Sequence, residues 1–477
     1  MKDVRYSVLL ALTNISDKAI LEAELAPVGA AVAPPSGTSS ENGMPPWRGD
    51  ICRGKGAGLL LPFAGWIAAA LGIVCAVGIM VALIRGGILV NPFGPSPDTD
   101  TSTEETTDEP AEDIRFEVWD GTIAKGFAGG TGTASDPYII NHPSQLAYLA
   151  QALSNDDSKA ANLSTKSYRL EANLDLNHHE WTPIGTWDTP FGGYFDGNGY
   201  TVKNLTVTRV IQSLGYYVAG LFGTVQSGAV CHLTLTDVSA NMSNIPGSYE
   251  KVFVGGLAGR VIAAKGKEVS IIDCKLERVR VKVKCSGAAD VYQGGVAGRI
   301  VVAENGGFTG ERLQATEVSL GGSDGEDYFQ GILTGYTECR ARFELRDVCL
   351  EGALGTGYNS GQHYFAAVTG CFSNKGGRSI CKNVFAVCNN PLGSGYVFTY
   401  QIAVDKEAYQ TFSFENCFMG HTNGSGSNPN GRNELMYYAV EERVTYRNCL
   451  YTVSLPQNHS FSDAVWDVSD PRHPRLR

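Results

Sequence analysis

The residues with the clearest chemical potential form a basic strand near the middle of the chain. It consists of Arg278, Arg280, Lys282 and Lys284, which alternate with three valines. Successive side chains of a β-strand point to opposite faces, so the four basic residues should share one face, about 20 Å long, while the valines face a core. Such a face suits an anionic polysaccharide, for example a uronate polymer or wall teichoic acid. The alternative is a solvated face that opposes aggregation.

Histidine and cysteine patterns indicate no second site. His178, His179 and Glu180 are adjacent, and neighbours on an extended segment point to opposite sides, so a loop before Trp181 explains them better than a metal site. The chain contains no CxxC pair and no GxSxG, HExxH or P-loop pattern. We therefore predict no catalytic residue, no metal site and no cofactor.

The elements that position the basic strand repeat along the chain. An apolar, glycine-centred strand recurs near Gly220, Gly256 and Gly295, with degenerate copies near Gly331 and Ala367. The copies are about 36 to 39 residues apart. A fixed period of this length is typical of a solenoid, in which each coil buries its apolar face against the next.

A second strand type, often containing cysteine, lies between the glycine-centred strands. Its cysteines are Cys231, Cys274, Cys349, Cys381, Cys417 and Cys449, which we align at one repeat position. Equivalent residues of stacked coils lie above one another, so these cysteines predict an inward ladder of unlinked thiols, since free cysteine behaves as a small buried hydrophobe. Disulfides remain the alternative. The local candidates are Cys274 with Cys285 and Cys381 with Cys388.

The start of this repeating region resembles the GLUG-motif surface proteins of bacteria. The matching motifs are Trp119-Asp120-Gly121-Thr122, Gly130-Thr131-Gly132-Thr133, Asp136-Pro137-Tyr138-Ile139, Trp181-Thr182-Pro183-Ile184-Gly185 and Phe195-Asp196-Gly197-Asn198-Gly199, followed by the repeat element VGGLAGR. The resemblance implies an all-β, right-handed parallel β-helix of pectate-lyase-like architecture at the cell surface, and no shared catalytic set. The closing Trp466-Asp467 and Pro474-Arg475-Leu476 resemble the last strand of such domains.

Other features of residues 114–477 agree with a solenoid. Residues 143–153 form a short amphipathic pattern that predicts a helix capping the first coil. Aromatic pairs begin several glycine-centred strands, and in each pair one ring should face the core and the other outward. These pairs are Tyr216-Tyr217, Tyr328-Phe329, Tyr364-Phe365 and Tyr437-Tyr438. An outward aromatic column would suit stacking on sugar rings, although sheet packing also favours such residues.

An uncharged apolar run precedes the solenoid. Residues 58–84 are long enough to cross a membrane as one helix. Arg48, Arg53 and Lys55 lie before the run and Arg85 lies just after it, so the positive-inside tendency places the N-terminus in the cytoplasm and the C-terminal domain outside. Small residues at four-residue spacing within the run would allow a homodimer through this helix.

The flanks of the span have contrasting compositions. Residues 1–55 predict a small, mostly disordered cytoplasmic segment with one short helix and a linker rich in proline, glycine and serine. Residues 92–113 carry eight acidic residues and no basic one, which predicts an extended stalk below the ectodomain at 114–477. The net charge of −11 argues against a nucleic-acid partner, because phosphate binding needs a basic face.

Three functions remain open from the sequence, one of which is signalling, with residues 1–55 recruiting a cytoplasmic partner. The first is a membrane-anchored surface module that binds polysaccharide, adheres to neighbouring surfaces or serves a structural role, because the lateral face of a solenoid suits repeated contacts. The alternative is a carbohydrate-active lyase or hydrolase, whose carboxylates would assemble from separate coils. The scattered Asp and Glu residues favour the first function.

Overall fold

The computed structural model describes most of the chain after residue 113. The described residues are 114–154, 160–209, 211–213, 216–245, 248–285, 288–323, 327–355, 363–389, 397–404, 411–422 and 444–477. The predicted N-terminal segment (1–55), transmembrane helix (58–84), stalk (92–113) and the pair Tyr437-Tyr438 lie outside these residues. Within the described ranges, no helix combines the length and apolarity that a membrane crossing requires.

Three sheets, parallel except for one antiparallel strand pair in the third, and one small hairpin contain the described strands. The first sheet contains β1 (Phe116–Val118), β2 (Tyr138–Ile140), β3 (Ser167–Leu170), β4 (Asn173–Asp175), β5 (Tyr194–Asp196), β6 (Thr201–Lys203), β7 (Thr206–Val207), β11 (Ala229–Cys231), β12 (Thr234–Ile245), β15 (Glu268–Cys285), β18 (Gly307–Ser323), β21 (Arg342–Leu354), β24 (Arg378–Asn389), β26 (Thr411–His421), β27 (Val444–Arg447) and β28 (Leu450–Tyr451). The second contains β10 (Phe222–Gln226), β14 (Ala258–Ala263), β17 (Ala297–Val302), β20 (Thr334–Cys339), β23 (Thr369–Asn374) and β25 (Thr399–Val404). The third contains β8 (Ile211–Ser213), β9 (Tyr216–Ala219), β13 (Ser248–Gly255), β16 (Ala288–Gly294), β19 (Tyr328–Gly331) and β22 (His363–Ala366), and the hairpin pairs β29 (Trp466–Asp467) with β30 (Arg475–Leu476).

The predicted solenoid is confirmed by the strand register. Along the central coils each coil contributes a strand to each of the three sheets, and each of these strands pairs in parallel with its equivalent on the next coil, as β13 does with β16 and β16 with β19. Val252, Val291 and Tyr328 are successive partners in that ladder. The repeat seen in the sequence is therefore the length of one coil, and the described domain is an all-β parallel solenoid.

A column of left-handed residues bends the long strands of the first sheet. This corner column consists of His232, Asp273, Arg312, Asp347, Asn383, Asn416 and Asn448, whose φ angles lie between 46° and 55°. Its asparagines hydrogen-bond from coil to coil: Asn383 donates to Asp347 over 2.9 Å, Asn416 to Asn383 over 3.0 Å and Asn448 to Asn416 over 2.9 Å. Asn and Asp tolerate this backbone region better than other side chains, so the column makes a sharp turn at low cost.

The glycine-centred segments are strand-corner-strand units, a correction to the single strands predicted above. β13 of the third sheet ends at Gly255 and β14 of the second begins at Ala258. A Cβ on Gly256 would lie 2.5 Å from the carbonyl oxygen of Gly295, and a Cβ on Gly295 would lie 2.5 Å from that of Ile332. Glycine is required here because consecutive coils bring their backbones into contact at the bend.

The apolar core fills the inside of the coils, and a helix closes its N-terminal end. α1 (Pro143–Ser154) matches the predicted cap, and a four-residue α2 (Ala160–Leu163) follows it. Leu146, Leu149 and Leu153 of α1 are buried in the same cluster as Ile140 and Tyr168 of the first strands. The helix thereby covers apolar surface that no further coil buries on that side.

The C-terminal strap (residues 452–477) packs on the outside of the first sheet. Its hairpin is antiparallel and forms a separate sheet, so it does not continue the solenoid as the predicted last strand would. The strap buries Leu455, Phe461, Trp466 and Leu476 against the outward side chains of Cys349, Phe385 and Phe418. The Trp466 Nε1 donates to Asp347 over 3.1 Å, and the Leu476 amide donates to Gln314 over 3.0 Å.

The described cysteines are free but do not form the predicted single ladder. All ten cysteines in the described residues are unlinked, including Cys274, Cys285, Cys381 and Cys388. Cys274, Cys417 and Cys449 each follow a corner residue directly and share one position. The alignment of the others was wrong: Cys231 precedes its corner, Cys381 lies two residues before one and Cys349 two residues after one. These cysteines occupy different positions in their coils, because the equivalent position of each coil is the left-handed corner residue and not the cysteine.

Candidate functional site

The basic strand is the second half of β15, and three of its basic side chains point to solvent. Arg280, Lys282 and Lys284 are exposed, whereas Val279, Val281 and Val283 between them are buried in the core. The predicted alternation therefore holds for these three residues, which we call the basic stripe. From Arg280 to Lys284 the stripe spans four residue steps, about 13 Å at 3.3 Å per residue.

Small, uncharged residues flank the basic stripe on both neighbouring coils. On one side Ser239 is the register partner of Arg280, and Asn241 is the partner of Lys282. On the other side the partners of Arg280, Lys282 and Lys284 are Ser319, Gly321 and Ser323. Among the described residues, none of the three basic side chains forms an ion pair. The three positive charges therefore face solvent, because the small residues on the neighbouring strands do not cover them.

Arg278 does not belong to this face, which corrects the prediction of four aligned basic residues. Its φ of 53° places it at a second left-handed corner, and this turn breaks the alternation of the strand. Its guanidinium donates two hydrogen bonds to Asp237 on the preceding coil, from Nε to Oδ1 over 2.7 Å and from Nη2 to Oδ2 over 3.0 Å. It also donates a hydrogen bond to the hydroxyl of Thr236. The hydrogen bond from Arg278 lowers the pKa of Asp237. Arg278 thus joins two neighbouring coils and lies outside the row formed by the other three basic side chains.

A groove lies on the same outer face, between the first sheet and the C-terminal strap. It has a volume of about 460 Å³ and is lined by Glu317, Glu351, Asn389, Val453, Arg472 and His473, among others. His473 Nδ1 lies 2.6 Å from Glu351 Oε1, and Arg475 Nη1 lies 2.9 Å from the other oxygen. Carboxylates of two neighbouring coils therefore line one concavity, which the scattered acidic residues of the sequence did not indicate.

The predicted outward aromatic column exists, but its ring faces are closed. Phe253, Tyr292, Phe329 and Tyr364 stack face to face on successive coils, with centroids 5.0, 4.7 and 4.6 Å apart. Each ring is at most 8 % exposed, while Tyr217, Tyr328 and Phe365 face the core as predicted. A sugar ring needs an open aromatic face for stacking. Because each face is covered by the next ring, the column is a packing feature of the third sheet.

The segment His178-His179-Glu180 forms a turn, as predicted. His178 adopts a φ of 56°, and the His179 ring packs edge-on against Trp119 at 5.5 Å. The Glu180 carboxylate accepts hydrogen bonds from the backbone amides of Thr208 and Arg209 over 2.9 and 2.8 Å. All three residues therefore have local structural partners.

The structure also brings together three potential metal ligands that sequence reasoning missed. Asp196 ends β5, Cys231 ends the neighbouring strand β11, and His232 follows at the corner. Their ligand atoms all lie within 4.8 Å of one another. The adjacent pair Cys231-His232 was the available signal, but Asp196 lies one coil earlier and its proximity depends on the register.

Comparison with known proteins finds short, partial similarities. The chain is 32% identical over 164 residues to "Halomucin" of Haloquadratum walsbyi, a match that covers 29% of this chain and 2% of that protein. It is 31% identical over 134 residues to a "Putative Gly-rich membrane protein" of Evansella cellulosilytica, covering 28% of this chain and 14% of that protein. The chain thus spans only a small part of either relative. No family model matches, and no solved structure matches.

Proposed function

We propose that this chain is a membrane-anchored cell-surface protein whose solenoid binds an anionic polysaccharide through the basic stripe. The observation that carries the proposal is the open line of Arg280, Lys282 and Lys284, flanked by small uncharged residues and without ion pairs among the described residues. An unpaired line of cations along a rigid strand matches a linear polymer with regularly repeated negative charges. Residues 114–477 carry 35 acidic and 31 basic residues, so no general positive charge attracts the polymer to the rest of the solenoid.

The anchoring part of the proposal rests on the sequence and on the relatives. Residues 58–84 form the single-pass span, with residues 1–55 in the cytoplasm and residues 92–113 as the stalk that displays the solenoid outside the cell. One partial relative is described as a membrane protein. The GLUG-type motifs support a right-handed, pectate-lyase-like coil and a role in adhesion. Small residues in the span support weak pairing of two copies.

A binding measurement on the full chain in detergent tests the proposal. The chain is titrated with polygalacturonate and, as an uncharged comparison, with dextran, at low and high salt. Exposed ion pairs contribute about 0.2–1 kcal/mol each, so a triple variant with Arg280, Lys282 and Lys284 changed to Gln should bind polygalacturonate about 3- to 150-fold more weakly. Wild-type binding should weaken with salt because exposed charges are screened.

A charge-matched variant separates the stripe from net charge. Changing Lys125, Lys265 and Lys267 to Gln also removes three exposed positive charges, but from other parts of the surface. This control should bind as the wild type does. Equal losses in both variants, or equal binding of dextran and polygalacturonate, would contradict a role for the stripe, and dextran binding would favour contacts with neutral surfaces.

The groove supports a second candidate, a carbohydrate-active enzyme. Glu317 and Glu351 line it from neighbouring coils, and His473 and Arg475 hold the Glu351 carboxylate. Glycan hydrolysis uses two carboxylates that flank the scissile bond. Shortening of polygalacturonate by the wild type, and its loss in Glu317→Gln, would establish this candidate. Unchanged chain length after prolonged incubation would exclude cleavage of that polymer.

A further inference from the structure

Three different metal-binding side chains converge at the corner column, outside the apolar core. Cys231 is the register partner of Asp196 on the adjacent strand, so their side chains leave the first sheet side by side. His232 takes the left-handed conformation next, with φ 50°, which turns its ring back over Asp196. The corner therefore gathers a thiol, an imidazole and a carboxylate from two coils.

The distances among these groups are close to those of a tetrahedral metal site. His232 Nδ1 lies 2.9 Å from Asp196 Oδ1, and Cys231 Sγ lies 3.9 Å from the same oxygen. Zinc bonds of about 2.0 Å to nitrogen or oxygen and 2.3 Å to sulfur, at tetrahedral angles, separate ligand atoms by about 3.3 Å and 3.5 Å respectively. The first observed separation is about 0.4 Å shorter and the second about 0.4 Å longer than these values, and all three ligand atoms lie within 4.8 Å of one another.

Among the described cysteines, Cys231 lies within 4.8 Å of both a histidine and a carboxylate, whereas Cys388 contacts a histidine alone. In the described part of the chain, the remaining cysteines are packed in or against apolar clusters, with Cys285, Cys339 and Cys388 inside the coils and Cys349 and Cys371 in the outer clusters. The Cys231 thiol instead donates to the hydroxyl of Tyr194 over 2.9 Å and faces Asp196.

The neighbouring charges complete the arrangement expected around metal ligands. Asp273 Oδ2 lies 3.5 Å from the second ring nitrogen of His232, and Arg312 holds that carboxylate through two hydrogen bonds. Arg169 binds Oδ2 of Asp196. Oδ1 accepts a hydrogen bond from the Asn198 amide over 2.9 Å and also lies beside His232 and Cys231. Metal-bound histidine commonly donates its other N–H to a carboxylate, which fixes the ring orientation and the tautomer.

We propose that Asp196, Cys231 and His232 form a binding site for Zn²⁺. The metal would take Oδ1 of Asp196, Nδ1 of His232 and the thiolate of Cys231. The thiol proton leaves to solvent, and the imidazole stays neutral with its N–H on the nitrogen that faces Asp273. Two negative ligands balance the ion's charge, and a thiolate favours Zn²⁺ over Mg²⁺ or Ca²⁺. Three protein ligands leave one position for water, and the half-exposed His232 ring, 47% accessible, gives the ion an entry path.

Cobalt titration of the full chain tests the site, because Co²⁺ reports a thiolate ligand by a sulfur-to-metal charge-transfer band. The wild type should bind one Co²⁺ with this band, and Zn²⁺ should displace it. The band should disappear in Cys231→Ser and remain in Cys371→Ser, which alters a similarly buried cysteine without nearby ligands. Asp273→Asn should weaken binding about 10- to 100-fold, as expected for a partner of a ligating histidine.

If the variant Cys231→Ser does not fold, the variant His232→Asn tests the same site. Asparagine occupies the same corner on later coils at similar φ, so this variant preserves the backbone, and it should lose most of the affinity for Co²⁺. His178→Asn is its control, since His178 is also exposed and left-handed. A wild type without the charge-transfer band, or a band that persists in Cys231→Ser, would overturn the proposal and leave the cluster as a hydrogen-bonded ion-pair network.

Discussion

Replacing Phe329 tests whether the outward aromatic column stabilises the third sheet. The ring is 8% exposed and stacks between Tyr292 and Tyr364, with centroids 4.7 and 4.6 Å away and both ring planes within 6° of parallel. The edge of Tyr336 meets it at 5.7 Å. Phe329 therefore contacts the coils on both sides of its own. These contacts lie on the outside of the solenoid, apart from the apolar core inside the coils.

The expected losses can be separated by two substitutions. Phe329→Leu retains most of the apolar burial and removes two stacked pairs and one edge-on pair, worth about 0.5–1.5 kcal/mol each, so it should cost about 1.5–4.5 kcal/mol. Phe329→Ala also opens a cavity and should cost about 3–5 kcal/mol, the usual range for a buried phenylalanine. The structure therefore predicts the stability order wild type, Phe329→Leu, Phe329→Ala.

Urea unfolding of the full chain, followed by tryptophan fluorescence, measures this order. Trp187 is a local reporter because its ring stacks on Tyr216 at 4.6 Å, and Tyr216 stacks in turn on Phe253 at the end of the column. Wild-type midpoints in both variants would refute the packing argument. A loss of polysaccharide binding without a loss of stability would refute it too, because it would mean that the ring faces a ligand.

Three further predictions concern single groups. The hydrogen bond from Arg278 holds the pKa of Asp237 below its usual value. The pair therefore stabilises the fold above about pH 4, and this stabilisation is lost as the pH falls through the lowered pKa. The variant Asp237→Asn should have a lower melting temperature than the wild type at neutral pH and the same melting temperature in acid. The variant Asn416→Ala should lower the free energy of unfolding in urea by about 1–3 kcal/mol, because a φ of 53° is unfavourable for alanine and the coil-to-coil hydrogen bonds are lost. The variant Asn416→Gly should lose only the free energy of those hydrogen bonds. The neighbouring Cys417 lowers the pKa of the partly exposed Cys449, so iodoacetamide should modify Cys449 first in the native chain. The buried Cys274, whose pKa burial raises to about 12, should react only after unfolding, and mass spectrometry distinguishes the two sites.

The solenoid could be predicted from the sequence because its repeat contains residues that cannot be replaced without a steric clash. Gly256 and Gly295 recur where consecutive backbones touch, and no other side chain fits there. The pattern around Val279, Val281 and Val283 likewise shows which face is buried. The strap could not be predicted, because its contacts with Cys349 and Phe385 join residues on different coils that share no local pattern.

The register explains why the basic face was only partly predicted and the metal ligands were missed. A strand pattern assumes regular alternation, and the left-handed corner at Arg278 interrupts it, so that residue turns toward Asp237 on the coil before. The same kind of corner turns His232 toward Asp196, 36 residues earlier in the chain. Both contacts depend on which residue adopts a positive φ, and a histidine or arginine at such a site gives little sign of it in the sequence. In a solenoid, side chains that act together are therefore found by aligning corners, because a corner fixes which residues of adjacent coils lie next to one another.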